Sequence, residues 1–261
     1  MTSETPSNYI FTKSKGKFYF NNPTIYFSKL PHSEFAREVA YALSNLCRFN
    51  GHCDQYYSVL HHTLLGYMTL VDLRSTIISS FKDSLQLSGQ EATILVHYAI
   101  VLWLLHDASE AYLGDIPSPL KVLLPEYSKL ETEVQEAIHT TYFFTRLGLN
   151  CSGSHFAAAS ELVKKVDMAM LCAEKKLVVS DMEEWPGLNN FLKDDFNREI
   201  ANQALYNLKG WMSSKEKSIY PTSLNGRFKS SDESGNVDTL YHLLNIVNYP
   251  RSASGNLPNL L

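Results

Sequence analysis

Ile100-Val101-Leu102-Trp103-Leu104-Leu105-His106-Asp107-Ala108-Ser109-Glu110 decides how this chain is read. An unbroken apolar run leads directly into a histidine, an aspartate and, three residues later, a glutamate. The pattern predicts a buried helix over about Ser88 to Leu113, opened by Ser88-Gly89-Gln90-Glu91. Burying such polar groups is costly unless they are paired or bind a metal. Helical spacing sets Glu110 four residues after His106 and three after Asp107, on a shared face, while the adjacent His106 and Asp107 project about 100° apart. One cation near the axis of a helix bundle is within reach of both.

Two ligands do not close a divalent site; three or four are needed. Two other apolar segments offer candidates. His62 follows Tyr57-Ser58-Val59-Leu60-His61, and Asp167 lies among Val166, Met168 and Met170. Two imidazoles and two carboxylates suit borderline or fairly hard divalent ions such as Zn, Co, Mn, Fe or Mg more than Ca. Taken singly, each residue has a plainer reading. His106 reads as a core histidine bonded to a carbonyl, Asp167 as a partner of Lys164 or Lys121, and His62 as one of two exposed histidines. Together they require three unrelated buried polar groups on three helices.

Outward from this centre the pattern is helical, giving an all-α class. Helices are expected from Ser33, where Ser33 is a candidate N-cap and Glu34 sits in the first turn, then over Tyr57–Asp72, Pro125–Leu147 (ended by Gly148), His155–Ser180 and Glu199–Trp211. Arg48-Phe49-Asn50-Gly51-His52, Gly114-Asp115-Ile116-Pro117-Ser118-Pro119 and Pro186-Gly187 read as breaks. Residues 9–29 read as a hairpin or irregular arm. Residues 213–236 are polar and read as a flexible surface segment, followed by a short helix at Asp238–Val247 and a poorly ordered end. The division expected is a core over 1–212 with its N-terminal arm, and a polar, partly flexible extension over 213–261.

The 261 residues are 44% hydrophobic, enough for a full core, and carry a net charge of −4. An acidic balance disfavours a nucleic-acid polymer as partner but leaves room for a small anion held by local cations. Four cysteines without a CxxC pair read as free thiols in a reducing cytosol. The polar start lacks a signal-peptide core, and no apolar run reads as a membrane span, so a cytoplasmic location without membrane partners is expected. There is no HExxH for a metalloprotease and no HxE with PCxxC for a zinc deaminase.

Four blocks carry a resemblance: Cys47-Arg48-Phe49-Asn50-Gly51-His52, then Tyr57-Ser58-Val59-Leu60-His61-His62, then His106-Asp107-Ala108-Ser109-Glu110-Ala111-Tyr112-Leu113-Gly114-Asp115-Ile116-Pro117-Ser118-Pro119-Leu120-Lys121, and Val166-Asp167. In this order they resemble the HD-domain phosphohydrolases, more narrowly the bacterial and phage 5′-deoxynucleotidase branch, over about 33–180. The resemblance implies an HD-domain helical bundle around a divalent metal held by His62, His106, Asp107 and Asp167. His61 is the competing first ligand, but the Ser-Val-x-x-His string of the family selects His62. It further implies Glu110 as the group that orients or deprotonates the attacking water and Arg48 as a phosphate contact. Asp115 would touch a sugar hydroxyl or assist the leaving oxygen, with His52 and Lys121 as secondary phosphate contacts. Phe49 stands where relatives often carry tryptophan; a phenyl ring still offers a face to a sugar. The plainer roles remain open: Glu110 orienting a ligand histidine, Asp115 satisfying turn amides, Arg48 capping a helix.

The activity this implies is hydrolysis of deoxynucleoside 5′-monophosphates to deoxynucleoside and phosphate. The alternative at the same site is triphosphate release from deoxynucleoside triphosphates, which needs more cations than Arg48 and Lys121 supply. Cyclic-nucleotide or guanosine-tetraphosphate hydrolysis and a non-catalytic nucleotide-binding module are further alternatives. The family also implies a homo-oligomer.

Overall fold

The structure, a computed structural model, describes residues 8–146, 153–180, 183–214 and 233–247. It is predominantly helical. A two-stranded antiparallel hairpin, β1 (Tyr9–Phe11) and β2 (Lys17–Tyr19), opens the chain and pairs Ile10 with Phe18. Two helices follow, α1 (Pro23–Lys29) and α2 (His32–Asn45), and then a tight turn at Arg48–Gly51. The middle of the chain holds α3 (Val59–Asp72), α4 (Arg74–Leu85), α5 (Gly89–Leu105), two short helices α6 (Glu110–Leu113) and α7 (Ser118–Lys121), and α8 (Pro125–Ile138). A π-helical stretch, His139–Arg146, extends α8. The last elements are α9 (Gly153–Leu177), α10 (Pro186–Phe191), α11 (Asp195–Ser213) and α12 (Glu233–Val247).

The two central helices are α3 and α5. Residues 59–67 of α3 and 95–105 of α5 are buried without interruption, the mark of helices enclosed on all sides. Around them pack α9, α11, α2 and α12. Both central helices begin with reciprocal caps. Ser88 accepts the Glu91 N–H while Glu91 accepts the Ser88 N–H. At α3, Ser58 Oγ accepts the His61 N–H and the His61 ring nitrogen Nδ1 accepts the Ser58 N–H at 3.0 Å.

One glycine sets the distance between the central pair. A Cβ placed on Gly66 would lie 2.0 Å from Trp103 Cζ2, so the indole lies directly against the α3 backbone. Trp103 is fully buried and its Nε1–H donates to Thr63 O at 2.8 Å. Gly66 is one turn beyond His62 and Trp103 is three residues before His106, so this contact brings the two histidines within reach.

Several elements differ from the sequence expectation. The arm at 9–29 contains the hairpin, but residues 23–29 are helical, started by Pro23 in the first turn where its missing N–H costs nothing. Phe18 and Phe27 are fully buried there, in ring contact with each other and with Tyr112 of α6. Helix α2 begins on Pro31, whose carbonyl accepts the Glu34 and Phe35 N–H groups, so Ser33 is not the cap. Helix α4 has only Ile77 buried, too weak an apolar pattern to be expected from sequence. Pro186 starts a short helix rather than a break. The expected end of the α8 helix at Leu147-Gly148 lies outside the described residues.

The long helix expected over Ser88–Leu113 is interrupted. Helix α5 stops at Leu105, and residues 106–109 form tighter turns in which the His106 N–H reaches Trp103 O and the Ala108 N–H reaches Leu105 O. Helix α6 then starts at Glu110. By length and composition 89–113 is the one helical stretch among the described residues apolar enough to span a membrane, and 78% of its most apolar window is buried within the protein. That burial is the behaviour of a core helix.

The boundary expected at 213 does not divide the core. Leu240, Leu243 and Leu244 of α12 are buried in the same apolar cluster as α2, α3 and α5. The His32 ring Nε2 meets Leu244 O at 2.9 Å. Residues 215–232, most of the expected flexible segment, and 248–261, the expected disordered end, lie outside the described residues.

Gly66→Ala should lower stability by about 1–3 kcal/mol, because the methyl group must displace the Trp103 indole. Urea unfolding followed by tryptophan fluorescence measures this, and a melting curve unchanged from wild type would contradict it.

Candidate metal centre

Three donor atoms from two elements converge. His62 Nε2, from α3, lies 3.3 Å from His106 Nε2. Asp107 Oδ2 is 3.1 Å from His106 Nε2 and 3.8 Å from His62 Nε2. Asp167 Oδ1, from α9, lies 3.4 Å from His62 Nε2. His62 is fully buried, whereas the Asp167 side chain is 52% exposed and stands at the rim.

The outer nitrogens of both rings are already committed. His62 Nδ1 meets Glu174 Oε1 at 2.6 Å, and His106 Nδ1 meets Trp103 O at 2.6 Å. A carboxylate and a carbonyl only accept, so each Nδ1 carries a proton and Nε2 is the atom each ring turns inward, where a bound cation would take the place of any proton. Asp107 Oδ2 is buried without a hydrogen-bond partner. Two inward-turned imidazole nitrogens and an orphaned carboxylate oxygen aimed at one point form a candidate donor set for a cation, and carboxylate- and carbonyl-anchored histidines are the usual outer support of such a site.

In the metal-free chain the same convergence of acids draws the His62 ring toward its charged form. Burial and Arg48 work to lower the His62 pKa, but the Glu174 carboxylate and the bonds to Asp167 and Glu174 prevail, and it is pushed up to about 9. Burial opposes ionisation of Asp107, yet His106, His62 and Arg48 hold it well below the usual carboxylate range. Glu174 is likewise held down, to about 2, by Arg48 and His62 against its burial. Asp167 is lowered through His62 in spite of its desolvation.

Helix α9 supplies both acids, Asp167 and, two turns on, Glu174. Glu174 is fully buried and receives three groups: His62 Nδ1, the Tyr57 hydroxyl at 2.9 Å and Arg48 Nη2 at 3.1 Å. Arg48 also lies 3.8 Å from Asp107, and its buried Nε has no partner. It is held by a strained turn in which Phe49, Asn50 and Gly51 all take positive φ, at 56°, 52° and 82°. A left-handed phenylalanine costs of order 1–3 kcal/mol. Backbone pairing closes the loop around it, with Arg48 N–H to Tyr57 O at 2.9 Å and Val59 N–H to Leu46 O at 3.0 Å.

Beside the three candidate ligands is a cavity of about 330 Å³, lined by His106, Asp107, Ser109, Glu110, Lys121, Glu131, Thr132, Gln135 and Glu136. Glu110 is buried and its Oε2 has no partner. Burial, with the neighbouring charges of Asp107 and Asp115, raises its pKa well above that of an ordinary glutamate.

The chain is 32% identical over 171 residues to the "Uncharacterized protein YfdR" of Escherichia coli (strain K12), a match covering 65% of this chain and 76% of that protein. The chain belongs to the YfdR family. No family model matches it.

In this YfdR-family chain the structure brings most of the sequence candidates together. His62, His106 and Asp107 form a compact triad and Asp167 adjoins it. The competing His61 is excluded: it caps α3 and its ring packs between Tyr57 and Trp211. Glu110 and Lys121 line the cavity, but Lys121 Nζ is paired with Glu131 at 2.6 Å. Asp115 is half-buried near the centre, and its pKa is raised by burial and Asp107 against the pull of Arg48 and Lys121. The Phe49 ring lies 5.5 Å from the Arg48 guanidinium. His52 is exposed, and no described contact links it to the triad. Glu110 reaches the site from a separate helix, not from one face of a continuous α5.

Sequence reading missed Glu174, Tyr57, Trp103 and Gln135. Glu174 carried a signal, since it recurs seven residues after Asp167 on the same helix face. Glu174→Gln should weaken Mn²⁺ or Co²⁺ binding by about 10–100-fold, because a neutral amide no longer supports His62 as a donor. Titration calorimetry reads this, and unchanged affinity would contradict the assignment.

Proposed function

We propose that the chain is a divalent-metal-dependent phosphohydrolase of the HD-domain type, acting on deoxynucleoside 5′-monophosphates to release deoxynucleoside and phosphate. The observation that carries this reading is the convergence of His62 Nε2, His106 Nε2 and the orphaned Asp107 Oδ2, beside a cavity into which an unpartnered Glu110 is built. His62, His106, Asp107 and Asp167 would hold the ion; Zn, Co, Mn and Mg are the candidates. When bound, a divalent ion supplies charge neutralisation and polarises a phosphoryl group.

The remaining work falls to the chain's own side chains. The Arg48 guanidinium, pinned by Glu174, has a buried Nε without a partner and can donate to a phosphate oxygen. Glu110 would accept the proton of the attacking water at Oε2 once a bound cation offsets the Asp107 and Asp115 charges that raise its pKa. Asp115, with its raised pKa, can carry a proton to the leaving sugar oxygen or bind a sugar hydroxyl. Phe49 offers a ring face to the sugar. The cavity favours a short phosphate tail. Among the described residues its only basic side chain besides His106 is Lys121, already neutralised by Glu131, while Asp107 and Glu136 are acidic. A triphosphate would meet uncompensated repulsion there.

The test is a panel of deoxy- and ribonucleoside mono-, di- and triphosphates incubated with Mg²⁺, Mn²⁺, Co²⁺ or Zn²⁺, with products separated by chromatography. Free phosphate from the deoxymonophosphates is expected. Triphosphate release would replace this substrate with the triphosphates, and no hydrolysis under any ion would leave a nucleotide-binding module. Glu110→Gln should lower turnover by at least about 10²-fold with bound metal unchanged; loss of the metal would make Glu110 a ligand instead.

A further inference from the structure

We propose that Gln135 of α8 is the positioning residue for the His106-Asp107 turn: its amide takes the place of one backbone hydrogen bond of α5 and thereby ends that helix where the two ligands begin. The inference rests on the metal-site reading for its consequence, though not for its geometry. In a continuous helix the Ser109 N–H would donate to Leu105 O, four residues back. Here Gln135 stands between them. Its Oε1 accepts the Ser109 N–H at 3.1 Å, and its Nε2 donates to Leu105 O at 2.7 Å. The orientation of the amide is fixed by these backbone groups, since a flipped amide would set N–H against N–H and oxygen against oxygen.

The second Nε2 hydrogen is used as well, pointing at His139 Nε2 at 2.9 Å. His139 lies one turn further along, where α8 passes into the π-helical stretch. An acceptor there must be a neutral imidazole, and burial with the neighbouring His106 lowers the His139 pKa to about 4. Both Nε2 hydrogens of the amide are therefore engaged, and Oε1 holds the Ser109 N–H.

The effect on the site follows from helix geometry. With the Leu105–Ser109 bond replaced by a side chain, residues 106–109 turn more tightly, and Glu110 begins a new helix. Adjacent residues project about 100° apart in an α-helix and about 120° apart at three residues per turn, so the tighter turn does not itself draw His106 and Asp107 together; it sets the backbone from which both side chains reach inward. In the interrupted form His106 Nε2 and Asp107 Oδ2 lie 3.1 Å apart, both directed at His62. The described hydrogen bonds of Gln135 go to Ser109 N, Leu105 O and His139 rather than to the side chains of His62, His106, Asp107 or Glu110, so it acts through the backbone that carries them.

Two variants separate the roles of the amide. Gln135→Met keeps length and removes all three hydrogen bonds, the two to the backbone at 105 and 109 and the one to His139. Gln135→Glu keeps the acceptor for Ser109 but sets oxygen against Leu105 O. In the metal-free protein, the Ser109 amide should exchange with solvent at least tenfold faster in Gln135→Met than in wild type, measured by NMR on protein whose far-UV circular dichroism is unchanged. Equal rates would overturn the clamp regardless of any metal. With Co²⁺ added to wild-type protein, a visible absorption band reports the ligand geometry. Both variants should bind Co²⁺ at least tenfold more weakly, with the band shifted, and wild-type affinity and band in both would overturn the positioning role. If wild-type protein binds no Co²⁺, Mn²⁺ or Zn²⁺, the metal reading fails and the positioning role fails with it, while the exchange measurement still decides the clamp. Should Gln135→Met fail to fold, the same Co²⁺ band in Gln135→Glu decides.

Discussion

The structure depends on one fully buried carboxylate. Glu174 has no access to water, and an isolated buried charge is among the most destabilising features a protein can contain. It is retained because three donors from separate pieces of chain meet it: Tyr57 and Arg48 from the loop before α3, and His62 from α3 itself. None of the four can be placed without the others. Satisfying Glu174 fixes the roll of α9 against α3, holds the strained turn at Phe49-Asn50-Gly51 and orients the His62 ring. Removing any one donor leaves a charge with a lower coordination than its burial tolerates.

A second constraint is steric and acts from the opposite side. Gly66 allows Trp103 to lie against the α3 backbone, and the indole stacks on His106 at 4.0 Å between centroids. The His106 Nδ1 proton is bound to the carbonyl of that same tryptophan. The two imidazoles are thus set by different means, one by a buried ion pair and one by an aromatic slab. Both leave Nε2 as the free atom.

Much of this was legible in the sequence because it is written in local patterns. Long apolar runs marked α3, α5 and α9, the Ser88–Glu91 box marked a helix start, and buried polar residues in those runs marked the ligands. What was not legible depends on contacts between distant segments. The interruption after Leu105 is imposed by Gln135, thirty residues away, and nothing between Ser88 and Leu113 announces it. Helix α4 buries too little to show a periodic face. Helix α12 reads as part of a polar extension until its leucines are seen in the core. The choice between His61 and His62 needed the resemblance or the geometry, because both are buried and adjacent on one helix.

The exposure of Asp167 has a further implication. The core, the caps and the Glu174 network are all complete using the chain's own atoms, while the one proposed ligand on α9 faces water. Loading an ion therefore does not require the chain to open, and removing it does not require the chain to unfold. A protein built this way does not choose its metal during folding, as a small zinc-organised domain does. On the proposed reading it would take whichever fitting ion its surroundings supply, and its activation would follow the composition of the medium rather than the history of the polypeptide.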